Sequence, residues 1–126
     1  DAKQRFYQVM TFIMETFDPA ALRATNFTRV HLFYSLFISL AAYLHNAPSI
    51  PGVKSDAVRD LKPVQARVVL EDISATYDRY TSKDFTDIKL SSEWERFIER
   101  SRRATTDQSA REERSRFILE RLSRRA

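Results

Sequence analysis

The chain has 126 residues and a formal net charge of +4, and 43% of its residues are hydrophobic. This length and apolar content suit one folded domain with a core, and they exclude a disordered tail. The single glycine, Gly52, excludes Walker-type and dinucleotide-binding loops, which need several glycines to bring backbone N–H groups close to phosphate. The lack of cysteine excludes disulfides, thiolate zinc sites and cysteine nucleophiles, and it fits a cytoplasmic protein.

The first predicted element is an amphipathic helix over residues 1–17. Apolar residues recur on one face at spacings of four, three and four: Phe6, Met10, Ile13 and Phe17. Asp18 and Pro19 then predict a stop and a restart, with aspartate as the N-cap of a short helix and proline in its first position. Because the chain begins inside a helical pattern, we expect a fragment of a larger multidomain protein.

Residues 28–46 form the longest apolar segment and predict a buried central helix. Its large apolar residues fall into two stripes at helical spacing, Phe33, Phe37, Leu40 and Leu44 in one and Leu32, Leu36 and Tyr43 in the other. Small residues form a third face, on which another helix can approach closely: Ser35, Ser39 and Ala42. We expect Thr28 as the N-cap, because Phe27 and Leu32 then occupy the two positions of a hydrophobic staple.

A membrane span is the alternative for this segment. A span needs about 20 apolar residues, whereas the run Val30–Leu44 is shorter and contains two serines. We therefore expect a core helix and no contact with a membrane.

Residues 47–55 contain two prolines and the only glycine, which predicts a connecting loop. Ser55 is a candidate N-cap for a helix that begins at Asp56, and Pro63 either kinks that helix or starts a new one. The apolar stripe that follows predicts a helix: Ala66, Val69, Leu70, Ile73, Tyr77 and Tyr80. Residues 81–90 are polar with spaced apolar residues, and we expect a packed loop there.

Two more helices are predicted after residue 91. Ser92 and Glu95 have the spacing of a capping box, and Thr105 and Gln108 can form another. The inner faces are Trp94, Phe97, Ile98 and Ser101 in the first helix, and Ala110, Phe117, Ile118 and Leu122 in the second. No alternating strand pattern occurs in the sequence. We therefore predict an all-α fold, a single helical domain over residues 1–126 with five to seven helices packed around the central helix 28–46.

No set of residues predicts a reaction. His31 and His45 lie near opposite ends of the central helix, about 20 Å apart at 1.5 Å per residue, so they cannot share a metal ion. No serine lies in the strand–turn–helix context of an activated nucleophile. We therefore expect no catalytic residue, no bound metal and no cofactor in this chain.

Arginine is concentrated near the C-terminus, where residues 91–126 contain ten arginines against seven acidic residues. Arginine suits phosphate because its planar guanidinium donates two parallel hydrogen bonds. Helix pairs that present arginines can bind a nucleic-acid backbone. The candidate nucleic-acid-binding residues are Arg100, Arg103, Arg111, Arg114, Arg121 and Arg125. The alternative is a solvated face on which the arginines form ion pairs with the interleaved glutamates.

Two segments resemble a known family. SEWERFIERSRRATTDQSAREERSRFILERL resembles the C-terminal end of the helical region in GmrSD-type modification-dependent restriction proteins. The matching positions are Trp94, Phe97, Ile98, Thr105, Thr106, Arg111, Arg114, Ile118, Leu119 and Leu122. FTRVHLFYSLFISLAAYL is similar to the central helix of the same family, with the match at Phe33, Tyr34, Ser35, Leu36 and Phe37.

The resemblance implies a bacterial defence protein that cleaves modified foreign DNA. In that family a nucleotide-dependent ParB-like domain carries an Asp-Gly-Gln-Gln-Arg motif, and a nuclease motif, where present, lies in a separate domain. Neither motif occurs in these 126 residues. The resemblance thus implies a non-catalytic helical module that packs on the ParB-like domain and contacts DNA or a second protomer. The full-length protein would be a nucleotide-dependent restriction endonuclease.

Two other functions remain open from the sequence. A stand-alone helical protein-interaction or oligomerisation domain would use the arginine faces for protein contacts. A small helical enzyme would need a pocket with convergent polar groups and perturbed titratable side chains.

Overall fold

The computed structural model describes residues 2–45, 61–82, 91–102 and 107–124. Within these ranges the chain forms six α-helices, one short 3-10 helix and no strand, so the prediction of an all-α fold with five to seven helices is confirmed. The elements are α1 (Ala2–Thr16), α2 (Pro19–Arg23), the 3-10 helix (Asn26–Thr28), α3 (Val30–His45), α4 (Pro63–Thr81), α5 (Ser92–Arg102) and α6 (Gln108–Ser123).

All five longer helices contribute to one cluster of buried apolar side chains. The predicted inner faces of α5 and α6 are confirmed, since every residue assigned to them is buried. In α4 the predicted stripe is buried from Ala66 to Tyr77, and Tyr80 packs partly buried against the same cluster. Aromatic rings join α5 to α6, where the rings of Phe97 and Phe117 stack with centroids 4.2 Å apart.

The inner face of α1 differs from the prediction at its first residue. Ile13 and Phe17 are buried as expected, and Met10 is partly buried. Phe6, however, is 52% exposed, and Val9 is buried instead. Every residue from 2 to 8 is exposed, although the Phe6 ring lies against Phe37 of α3 and Lys3 lines a groove together with Leu44.

α3 packs against α1 and α6 and buries Leu32, Leu36 and Leu40 on one side. A helix buried on all sides is not confirmed, because Val30 is 85% exposed, and Leu44, predicted for the inner stripe, is also exposed. Of the sixteen residues of α3, seven are buried, six are partly buried, and Val30, Tyr34 and Leu44 are exposed.

The expected N-cap at Thr28 is wrong. Thr28 ends the 3-10 helix, whose own N-cap is Thr25. The Phe27 N–H bonds to Thr25 Oγ1 at 3.3 Å. α3 starts two residues later than predicted, and its first turn is closed by the Phe33 N–H bond to the Arg29 carbonyl.

Other helix starts follow local capping chemistry. Asp18 caps α2 as predicted, with its Oδ1 accepting from the Ala21 N–H at 2.7 Å, and Pro19 is the first helical residue. Pro63 starts α4 rather than kinking it. Ser91, and not Ser92, caps α5, since its Oγ accepts from the Trp94 N–H at 3.4 Å.

At α6 the capping residue is Asp107, whose Oδ1 accepts from the Ser109 N–H at 2.9 Å. Of the box predicted for Thr105 and Gln108, Thr105 lies outside the described residues, and Gln108 is the first residue of the helix and not the third. The loop over 47–55, the helix start at Asp56 and most of the predicted loop 81–90 lie outside the described residues. Among the helices described, none has the length and apolar character that crossing a bilayer would take.

Candidate functional site

The arginines of α5 and α6 were the candidate site, and Arg100 forms an ion pair there. Its Nε lies 2.8 Å from Oε2 of Glu113 on α6, and the other carboxylate oxygen of Glu113 lies 3.5 Å from Arg96. The hydrogen bond to Glu113 raises the pKa of Arg100. Glu113 on α6 therefore pairs with two arginines of α5.

Arg121 lies over aromatic rings at the other end of the helix pair. Its guanidinium carbon lies 5.1 Å from the centroid of the Trp94 ring and 4.7 Å from that of Phe117, within the range of cation–π contacts. The same guanidinium is 3.6 Å from Glu93, a carboxylate that also pairs with Arg124 at 3.7 Å. Burial lowers the pKa of Arg121, although the neighbouring carboxylates act in the opposite direction.

Arg114 is 1% exposed, so it does not belong to the exposed arginine face that was predicted. Its Nε donates to Ser35 Oγ on α3 at 3.0 Å, and a terminal nitrogen donates to the Arg100 carbonyl at 2.9 Å. Burial lowers the pKa of Arg114, and Arg111 adds a smaller repulsion. A fully buried guanidinium has no free edge for phosphate, so Arg114 has a structural role in this fold.

The C-terminal carbonyls of α5 receive a second donor. His31 Nε2 lies 2.7 Å from the Ser101 carbonyl, and because a carbonyl oxygen only accepts, Nε2 is the protonated nitrogen. The last carbonyls of a helix lack partners within the helix and carry partial negative charge. His31 and Arg114 thus satisfy two of these carbonyls from α3 and α6.

The small face predicted on α3 is where α6 approaches. Ser39 Oγ bonds to the Ser35 carbonyl at 2.7 Å and to the Ser115 carbonyl of α6 at 2.9 Å. Ser35 Oγ bonds to the His31 carbonyl at 3.0 Å while it accepts from Arg114.

The remaining candidate residues do not form a common phosphate site with these. Arg111 is exposed, and within the described ranges no ion-pair partner is found for it. Arg103 and Arg125 lie outside the described residues. The structure therefore brings Arg100 and Arg121 into ion pairs, removes Arg114 from the surface and leaves Arg111 in solvent.

A second surface was missed by sequence reasoning. On α1, Phe6, Tyr7 and Met14 are 52%, 57% and 53% exposed. We call these three residues the outer patch. The Phe6 ring lies 5.3 Å from the ring of Phe37 on α3 and 6.0 Å from that of Tyr7, so the patch continues onto α3.

A groove of about 800 Å³ runs along the same helix. Its lining residues are Lys3, Gln4, Tyr7, Gln8, Thr11, Phe12, Glu15, Leu44 and His45. His45 Nε2 is buried without a hydrogen-bond partner. Burial, with a smaller effect of Arg5, lowers the pKa of His45.

A metal site is not built by the described part of the chain, where no three histidine or acidic side chains come together to hold an ion. Comparison with known proteins adds no assignment, since no protein family, curated protein or solved structure matches the chain.

Removing the Arg114 guanidinium should destabilise the fold. We expect Arg114→Met to lower the free energy of unfolding by about 1–3 kcal/mol, because Ser35 and the Arg100 carbonyl lose a buried donor. In a double-mutant cycle with Ser35→Ala, the coupling should be about 1 kcal/mol. Urea denaturation measures both. Arg111→Met is the matched control, with a change within about 0.5 kcal/mol; an equal effect of the two arginine variants would contradict the structural role of Arg114.

The two histidines should make stability depend on pH. Burial lowers the pKa of His31; the hydrogen bond to Ser101 raises it by less, and repulsion from Arg29 and Arg114 lowers it further. Burial also lowers the pKa of His45. The unfolded chain therefore binds more protons just below the ordinary histidine pKa, so stability should fall as the pH drops from about 7 to 5.5. In His31→Gln/His45→Gln, urea midpoints should lose most of this slope; an unchanged slope would assign it to other groups.

Proposed function

We propose that this chain is a helical interaction module that works by contact with another protein through the outer patch. The observation that carries this proposal is the exposure of three large apolar side chains on one helix, each more than half accessible to solvent. Single exposed apolar residues are ordinary on a protein surface, whereas contiguous patches mark interaction sites. Tyr7 also lines the adjacent groove, which gives a partner a concave surface to enter.

The ion pairs of α5 and α6 favour a protein contact over a phosphate contact at the arginine face. Glu113 and Glu93 each pair with two arginines. A phosphate that bound Arg100 or Arg121 would compete with these carboxylates. Glutamates placed between arginines also reduce the positive potential that attracts a nucleic acid.

We also propose, from the resemblance, that the module belongs to a bacterial DNA-restriction protein and supports a ParB-like nucleotide-dependent domain. The two segments that carry the resemblance meet in the fold, since Arg114 of one donates to Ser35 of the other. Trp94, Phe97 and Leu122 of the motifs are core residues, so in this chain they pack the helices together and do not contact DNA. Among the candidate arginines that the structure describes, Arg111 is the exposed one.

If the chain works by contact with another protein, helical peptides should bind at the outer patch. A displayed library of helical peptides is selected against the native chain, and the enriched peptides are tested on two variants. We expect Tyr7→Gln/Met14→Gln to abolish binding, because these side chains supply the apolar contact. Val64→Gln/Val68→Gln on α4 should retain it, and these valines are similarly exposed. Equal binding to both variants would overturn the proposal.

The DNA contact is tested by fluorescence anisotropy with a 20-base-pair duplex at two salt concentrations. We expect weak binding at about 50 mM salt. The fall of log affinity with log salt concentration should correspond to about one or two neutralised phosphates, because most described arginines of the face are paired. Arg111→Ala should weaken it and Arg67→Ala on α4 should not. No binding at low salt would remove DNA from the proposal. A slope of about six or more would contradict the ion-paired face.

A further inference from the structure

We draw no further inference here: the strongest candidate, the groove along α1 with the outer patch beside it, carries none, because nothing in the described part of the chain shows what covers this face.

Discussion

The buried guanidinium of Arg114 is the interaction on which the arrangement of α3, α5 and α6 depends. Taking a charged group out of water costs several kcal/mol unless hydrogen bonds replace its hydration. Here Nε donates to Ser35 on α3, and a terminal nitrogen donates to the Arg100 carbonyl on α5. That carbonyl lies in the last turn of α5, where the helix dipole is negative. One side chain of α6 therefore fixes the positions of two other helices.

The same region explains why the surface arginines are not free to act as a phosphate site. Two consecutive residues of α6 hold Arg100, since Glu113 binds its side chain and Arg114 binds its carbonyl. Arg121 is held in a similar way by the Trp94 ring and by Glu93. The arginines that stabilise the contact between α5 and α6 are thereby engaged, whereas Phe6, Tyr7 and Met14 on α1 remain more than half exposed.

Periodicity was enough to predict the helices and most of their inner faces, because apolar burial dominates where each helix crosses the core. It failed for Phe6, whose ring lies against Phe37 of α3 and is still half exposed, because a periodic pattern does not show how completely the neighbouring helices cover a position. It also failed for the caps of α5 and α6, where Ser91 and Asp107 are as suitable chemically as the residues that were chosen. Local capping rules alone could not choose between adjacent candidates.

Arg114 was assigned to the surface because arginine is rarely buried. Its position held a signal, since it lies four residues after Ala110 and three before Phe117, within the buried stripe of α6. The small face of α3 was the matching signal, because serines that let a helix approach also offer hydrogen-bond acceptors. The sequence alone could not identify the hydrogen-bond partner of Arg114, because Ser35 lies 79 residues away along the chain.

Solution NMR of the arginine side chains tests the central claim most directly. A guanidinium buried against Ser35 should give a separate Arg114 Nε–H signal with slow exchange with water and a nuclear Overhauser contact to the Ser35 side chain. The Arg111 signal should exchange rapidly and serves as the internal reference. An Arg114 signal that exchanges as fast as that of Arg111, with no contact to Ser35, would contradict the role assigned to this residue.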